Sequence, residues 1–417
     1  MTVRFLTLTA LLLFTACGTA PLVPKHARSP YFDDVTEHLD IGGEVFVYVD
    51  IAGDVKEAAS LADELLGAAA DGDAIDPVFM ADVLGFTRLN AVGLSSVQTD
   101  TGYLNKSFLH MSKREGLLRV TGGAPHRFRL PAFAVKGADL AFETDIHMKE
   151  AFAAIDVLLR KSISEDKRRK WMERLETPVL PGLFSPMDLI QHGDTRVTAV
   201  FTSDPDRQLT IPLADVSLPY TQGVIALDGM GFVVEQIKEF VADSLLFRVE
   251  TSDEWDTIRL AQDLPGELGS VAPVIRRDRK TDRLYIATSP EFLNDCLSGR
   301  HPLAADPDYI AATEDLPVDE GNSLLYISPR LGPGLRKLTE RLPLNKKEST
   351  VARMLLDRVF DGGDAGAAAV CANEKRGISC ASRGPFSHKM SLLTFATVNP
   401  VTLGFLSAMS FPVPELK

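Results

Sequence analysis

The fold prediction begins from the residues Gly43-Glu-Val-Phe-Val-Tyr-Val-Asp50. β-Branched and aromatic residues fill this stretch, which is typical of a buried strand. Apolar residues then recur at intervals of three and four, the spacing of one helix face, at Val55, Ala58, Leu61, Ala62, Leu65 and Leu66. The sequence therefore predicts a β-strand followed by an amphipathic helix.

The same pattern returns three times, with strand-like stretches at residues 137–145, 223–228 and 321–328. After each copy come two short strand-like runs separated by turn residues, which predict a β-hairpin. The agreement in order and spacing favours internal repeats, although any α+β protein has strands followed by helices. The predicted hairpins pair residues 89–95 with 103–110, 196–202 with 208–212, 271–276 with 283–288, and 368–372 with 378–381.

Several helix starts are marked by polar residues that accept hydrogen bonds from the first helical turn. Asp76 and Ser289 each precede a proline, a residue favoured at the first helical position. Residues 162–165 match a capping box. Three aspartates at strand ends are predicted to cap the helices that follow them: Asp50, Asp145 and Asp228.

The length of 417 residues exceeds the size at which one hydrophobic core stops growing, so two domains are expected. We place them at residues 41–217 and 218–417. Each is predicted to be an α+β domain of two repeats, with helices covering a mixed or antiparallel sheet. The formal net charge of −13 repels phosphate groups, which argues against nucleic acid as a partner.

Residues 1–16 have the features of a cleaved signal peptide. Arg4 precedes an apolar run at residues 5–14, which is too short to span a bilayer. Small residues then lead to Cys17. In these features the N-terminus resembles bacterial lipoproteins, although Phe14 stands where leucine is usual in that family. The alternative is an ordinary signal peptide that happens to end beside a cysteine.

The resemblance implies that Cys17 becomes a lipidated N-terminus and anchors the protein to a membrane, because two or more acyl chains give a stable anchor. It also implies the outer membrane, since Gly18 stands where an aspartate favours retention in the inner membrane. Residues 17–40 then form the lipidated cysteine and a proline-containing tether. Residues 401–409 are apolar and predict a docked terminal helix, too short for a second anchor.

Two further cysteines, Cys371 and Cys380, flank the turn Glu374-Lys-Arg-Gly377. In a regular hairpin they lie directly opposite each other, close enough for a disulfide, and export favours oxidation. The alternative is two buried thiols on one sheet face. The remaining cysteine, Cys296, lies on an apolar helix face and is predicted to be a buried thiol.

Motifs for catalysis are weak. The eight histidines are dispersed, and Asp145-x-His147 is better interpreted as a strand end with a helix cap. Asp228-Gly-Met-Gly231 lacks the third glycine of a dinucleotide-binding turn. Ser164-x-x-Lys167 lacks the companion motifs of penicillin-binding proteins. We therefore predict no catalytic residue, metal ligand or cofactor.

The strongest basic cluster follows Glu165 on a predicted helix. It could contact anionic headgroups near the anchor, or it could be the solvated face of that helix, which is the interpretation we prefer. The cluster comprises Lys167, Arg168, Arg169, Lys170 and Trp171.

Together these features favour a non-catalytic envelope lipoprotein that binds an envelope protein partner or has a structural role. One alternative is a carrier for a lipid or another apolar ligand, which requires an apolar cavity of about 300 Å³ or more. The other is an extracytoplasmic hydrolase whose site residues are dispersed along the chain, which requires a convergent cluster of Asp, His and Ser.

Overall fold

The computed structural model describes residues 28–69, 76–180, 182–211, 216–262, 271–341, 350 and 366–389. The predicted signal peptide, Cys17 and the terminal helix at residues 401–409 lie outside these ranges, as does the first part of the tether. These predictions therefore remain predictions.

The described residues form fifteen β-strands. They are β1 (Val45–Asp50), β2 (Leu89–Thr99), β3 (Gly102–Met111), β4 (His126–Arg127), β5 (Leu140–His147), β6 (Asp194–Ile211), β7 (Val216–Leu227), β8 (Phe247–Thr251), β9 (Trp255–Leu260), β10 (Val274–Asp278), β11 (Arg283–Ala287), β12 (Glu320–Gly321), β13 (Ser323–Ile327), β14 (Ala367–Glu374) and β15 (Gly377–Gly384).

Eleven α-helices accompany them in the described ranges. They are α1 (Phe32–Thr36), α2 (Asp54–Ala69), α3 (Pro77–Val83), α4 (Leu130–Phe133), α5 (Met148–Ser162), α6 (Glu165–Glu176), α7 (Pro186–His192), α8 (Phe232–Phe240), α9 (Pro290–Ser298), α10 (Pro307–Thr313) and α11 (Leu331–Arg341).

Thirteen strands form one sheet in the order β1-β2-β3-β15-β14-β13-β5-β6-β7-β11-β10-β9-β8, while β4 and β12 pair separately. The neighbouring strands are antiparallel. The sheet is open, with β1 at one edge and β8 at the other. The predicted combination of helices with an antiparallel sheet is confirmed.

The two-domain arrangement is not confirmed. Strands β13 to β15 come from the second half of the chain, yet they lie between β3 and β5 of the first half. The predicted boundary at residue 218 falls inside β7. Two of the four predicted repeats share one strand order, in which the leading strand lies beside the first strand of its hairpin: β1-β2-β3 and β13-β14-β15. In the third repeat the leading strand β7 lies beside β11, the second strand of the hairpin. Internal repetition stays a prediction.

Three of the four predicted hairpins are confirmed by the pairs β2–β3, β10–β11 and β14–β15. The hairpin between residues 196–202 and 208–212 is wrong, because β6 contains both runs up to Ile211 and pairs with β7. The pairing is irregular between Asp204 and Gln208. There the Asp204 carboxylate accepts hydrogen bonds from the N–H groups of Asp206 and Arg207. This local turn makes a bulge, after which the same strand continues.

Helix caps also differ in part from the expectation. Asp76 accepts a hydrogen bond from the Phe79 N–H, as predicted. The capping box at residues 162–165 is wrong, because Ser162 belongs to α5 and Ser164 precedes α6 without a side-chain cap. A capping box forms instead between Ser185 and Asp188 at the start of α7.

The main hydrophobic core lies between the central strands and helices α9 and α10. Tyr326 and Leu324 of β13 are fully or almost fully buried in it, and so is Leu293 of α9. Helix α2 buries Ala59, whereas Ala58 and Leu61 of its predicted apolar face are exposed. The core therefore depends on β13 and α9 more than on the first strand-and-helix unit.

A substitution at Leu293 tests this view of the core. Leu293→Ala should lower the free energy of unfolding by about 2–5 kcal/mol, because it removes buried methyl groups and leaves a cavity. Leu61→Ala is the matched control, and it should change that free energy by less than about 0.5 kcal/mol because Leu61 is 57% exposed. Chemical denaturation followed by circular dichroism measures both, and equal losses would contradict the assignment.

Candidate functional site

A row of charged and polar side chains crosses one face of the central strands. Register places Asp145 of β5 opposite Arg196 of β6, and Glu143 opposite Thr198. Residues two apart on a strand share a face, so these four side chains lie together. We call the set the polar row; it comprises His126, Arg129, Glu143, Asp145, Arg196, Thr198, Asp228 and Arg283.

The centre of the polar row is a carboxylate held by two guanidinium groups. Arg129 Nη1 donates to both oxygens of Asp228 at 2.7 Å, and Arg283 Nε donates to the same carboxylate at 2.5 Å. Arg129 Nε also donates to Thr198 Oγ1 at 2.8 Å. Burial lowers the pKa of Arg129, and the charge of Asp228 opposes this effect. The guanidinium of Arg129 thus joins the segment before α4 to β6 and to the end of β7.

We call Asp228 with Arg129 and Arg283 the clamp. Glu143 lies next to it and is completely buried. Its Oε2 accepts from the backbone N–H groups of Arg129 at 3.0 Å and Leu130 at 2.7 Å, so it fixes the start of α4 on the sheet. Its Oε1 has no hydrogen-bond donor, and Arg196 Nε is 3.7 Å away. Burial raises the pKa of Glu143 despite the opposing arginines and N–H groups.

At the other end of the polar row, His126 Nε2 contacts the two oxygens of Asp145 at 2.9 and 3.0 Å. Such a pair supplies two of the three groups of a hydrolytic triad, and the third would be a hydroxyl or thiol at the other ring nitrogen. Here His126 Nδ1 faces the carbonyl oxygen of Arg127 at 3.2 Å. Asp145 also accepts from Asn322 Nδ2 at 3.0 Å. The geometry is that of a structural contact rather than a catalytic base.

The prediction that Asp145 and Asp228 cap helices is wrong, because both side chains bind within the polar row. His147 and Gly231 precede α5 and α8 instead, without side-chain caps. Asp50 does not cap α2 by its side chain in the described contacts; it accepts from the Ala52 N–H. A usable signal was present in the sequence, since Glu143 and Asp145 interrupt an apolar strand at alternate positions.

The predicted opposition of Cys371 and Cys380 is confirmed. They pair directly across β14 and β15, as Glu374 and Gly377 do, with Cα atoms 4.1 Å apart and sulfur atoms at disulfide distance. Cys296 is buried in α9, as predicted, and burial raises the pKa of its thiol to about 12. A thiol in this environment is unreactive.

The basic cluster on α6 divides into two groups. Arg168 pairs with Asp156 at 2.9 Å, and Trp171 stacks on Phe152 with ring centroids 5.9 Å apart. Lys167, Arg169 and Lys170 are exposed. This division matches the preferred interpretation of a solvated helix face with an inward-facing side, and contact with an anionic surface stays a prediction for the three exposed residues.

Two cavities among the described residues bear on the carrier alternative. One of about 510 Å³ lies between the end of β13, β6 and α11, with Asp139, Arg330 and Lys337 in its lining. The Asp139 carboxylate accepts from the N–H and Oγ of Ser203 at 2.6 and 3.0 Å. The other, of about 410 Å³, includes Lys136 and Arg300. Both linings contain charged side chains, and Pro329 and Pro333 add apolar surface to the first.

The outer edge of β8, with the residues just before it, exposes several large apolar side chains. It ends the sheet, so no described strand pairs with its outer side. Leu245 is 92% exposed, Leu246 71% and Phe240 50%. We call Phe240 and residues 245–251 the β8 edge. Contiguous exposed apolar groups beside open backbone hydrogen-bonding groups are typical of protein-binding surfaces.

Within the described ranges, no helix combines the length and apolarity that crossing a bilayer requires. The same residues contain no group of three or more His, Cys, Asp or Glu side chains placed to hold a metal ion. No protein-family model matches this chain, and comparison with curated proteins and with solved structures finds no match either.

Removing the central carboxylate tests the clamp. Asp228→Asn leaves Arg129 and Arg283 to share a neutral acceptor, so the free energy of unfolding should fall by about 1–3 kcal/mol. Asp194→Asn is the control, because its exposed contact with Lys149 spans 3.7 Å and should contribute less than about 0.5 kcal/mol. If urea denaturation shows equal effects for the two variants, the clamp has no structural importance.

The pH dependence of stability tests the burial of Glu143. Its pKa in the folded state is raised, so the folded protein binds this proton more tightly than the unfolded chain does. The resulting stability is complete below about pH 4.5 and is lost as the pH rises through the folded-state pKa. Glu143→Gln removes this loss.

We therefore expect the unfolding free energy of the wild type, relative to Glu143→Gln, to fall as the pH rises from 4 upward. Urea denaturation at a series of pH values measures this difference. Glu57→Gln, an exposed position on α2, should keep a constant difference from the wild type. A pH-independent difference for Glu143→Gln would show that Glu143 has an ordinary pKa.

Proposed function

We propose that this protein is a non-catalytic, lipid-anchored protein of the bacterial cell envelope that binds a partner protein along the β8 edge. The observation that carries the proposal is the exposure of Leu245 and Leu246 beside a strand whose outer side has no described partner. An added strand would satisfy the backbone groups and cover the apolar side chains at once.

The backbone of the β8 edge offers hydrogen-bonding groups at alternate residues. The Leu246 carbonyl accepts from the Ala261 N–H, and the Ser252 N–H donates to the Trp255 carbonyl. Even-numbered residues of β8 therefore bond to β9. Phe247, Val249 and Thr251 consequently point their N–H and C=O groups outward, where an extended segment of a partner can bind them.

The alternatives have less support from the described residues. A hydrolase needs a nucleophile beside a base, but His126 faces a carbonyl and a carboxylate. A carrier of apolar ligands needs an apolar cavity, whereas the two cavities described above have charged residues in their linings. The polar row is satisfied internally at Asp228, which favours a structural role for it.

The anchored location rests on the sequence around Cys17 and on its resemblance to bacterial lipoproteins. A thioether-linked lipid at Cys17 would hold the sheet near the membrane through the residues that precede α1. The predicted tether does not extend to residue 40, because Val35 and Leu39 are buried against Ala91 and Phe108. A partner in the same membrane would then meet the β8 edge at a raised local concentration. The proposed partner is therefore an envelope protein, with no role for nucleic acid.

Photo-crosslinking in native membranes tests the proposal. A photoreactive amino acid at position 246 should give a covalent adduct with a protein, whereas the same residue at position 61 should not. Leu61 is a matched control because it is exposed and apolar but lies on α2.

A second variant tests whether backbone pairing is involved. Val249→Pro removes an outward N–H, which an edge strand tolerates, and should abolish the adduct at position 246 while leaving the folded state intact by circular dichroism. The proposal is wrong if position 246 gives no adduct, or if Val249→Pro leaves the adduct unchanged.

A further inference from the structure

We infer that the partner bound at the β8 edge is a second copy of this chain, paired antiparallel with β8 about a two-fold axis through Val249. This inference rests on the proposed function and names the partner of the same surface. The resulting dimer would continue the sheet from one copy into the other, with the same surface used by both.

Hydrogen bonding limits the possible registers. Only odd-numbered residues of β8 direct their backbone groups outward, so a symmetric pair must place odd residues opposite odd residues. With the axis at Val249, Phe247 lies opposite Thr251 of the second copy, and the two Val249 residues lie opposite each other. All three outward-facing residues then form backbone hydrogen bonds with the other strand.

The charges of Arg248 and Glu250 favour this register over the neighbouring registers. With the axis at Val249, Arg248 lies opposite Glu250 of the second copy, and Glu250 lies opposite Arg248 of the second copy. These are non-hydrogen-bonded pairs, whose Cα atoms are about 4.5 Å apart and whose side chains are therefore closest. An axis at Arg248 would place two arginines opposite each other, and an axis at Glu250 would place two glutamates opposite each other.

A second copy would also relieve a like-charge pair within the chain. Register places Arg248 of β8 directly opposite Arg259 of β9. The carboxylate of Glu250 binds Arg259, which leaves Arg248 without a described acidic partner. Glu250 of the second copy would supply that acid. Like charges directly opposite each other destabilise a sheet, so pairing of two β8 strands improves the electrostatics of both.

The opposite edge of the sheet lacks this complementarity. Strand β1 ends at Asp50 and is preceded by Glu44, and it contains no basic residue. Pairing two β1 strands would bring acidic residues together without opposite charges. Pairing of β1 with β8 of another copy would be heterologous and would generate open chains of molecules. The two-fold β8 pair closes after two copies.

Sedimentation velocity of the purified protein over a range of concentrations tests the inference. The wild type should form a dimer whose fraction rises with concentration. Arg248→Glu places glutamate opposite Glu250 of the second copy, and Glu250→Arg places arginine opposite Arg248. Either change should weaken dimerisation by about tenfold or more, because like charges at an interface are strongly unfavourable.

Two combinations should restore the dimer. An equimolar mixture of the Arg248→Glu protein and the Glu250→Arg protein should form heterodimers, since both cross-strand pairs are then of opposite charge. The double variant Arg248→Glu, Glu250→Arg should form homodimers again. Arg169→Glu on α6 is the control and should leave dimerisation unchanged. Circular dichroism of each variant checks that the fold is retained.

The outcomes separate this inference from the proposed function. A wild type that remains monomeric at every concentration, together with a cross-linked adduct of a different protein at position 246, overturns the inference and leaves the proposed function intact. A monomer without any adduct overturns both. A dimer that is insensitive to both single charge reversals, and to Val249→Pro, uses another surface and overturns the β8 pairing.

Discussion

Backbone pairing on both sides of β13 is the interaction on which the described fold depends. This strand bonds to β5 on one side and to β14 on the other, so it joins parts of the chain that are remote in sequence. The side chains of Thr144 and Ser323 touch across the first of these pairs at a separation of 179 residues. Tyr326 and Leu324 are buried at the same place. Without β13, the first three strands and the central strands would be separate sheets.

The polar row supplies hydrogen-bond partners for backbone groups that this arrangement would leave unpaired. The segment between β3 and β5 must cross the sheet and start α4 over its central strands, where backbone N–H groups at the start of a helix have no partners in the helix. Glu143 accepts two of them, and Arg129 fixes the same segment to Asp228. Desolvation of these charges is costly, so their value lies in specifying one position for the segment rather than in net stability. These charged contacts, together with hydrophobic packing, therefore fix the position of α4 on the sheet.

The sequence predicted the local parts of the fold better than their assembly. The strand at Val45–Asp50, the turn between Cys371 and Cys380 and the cap at Asp76 depend on neighbours within about ten residues, and each was predicted. The predicted burial of that first strand was wrong, because β1 lies at the edge of the sheet and Phe46 and Val49 are exposed. The hairpin predicted between residues 196–202 and 208–212 was wrong because the turn residues around Asp204 allow either a hairpin or an irregular strand. Pairing with β7 decides between the two. The polar row was missed because Asp228 and Arg129 meet only after distant strands are aligned. The β8 edge was missed because exposure of Leu245 depends on which strand ends the sheet.

An open antiparallel sheet of this width leaves two edges that other strands could join, and these edges need protection from indiscriminate pairing. Strand β1 has acidic residues at or beside its ends and none that are basic, so copies of it repel one another. Strand β8 instead carries one charge of each sign, Arg248 and Glu250, two residues apart on the same face. Such a pair disfavours most partners and most registers, because a shift of one residue in the axis brings like charges together. The pair is complementary to a strand that carries its charges in the opposite order. The β8 strand of a second copy, in antiparallel orientation, has that order. The charges that protect this edge from aggregation are thus the same charges that make it specific.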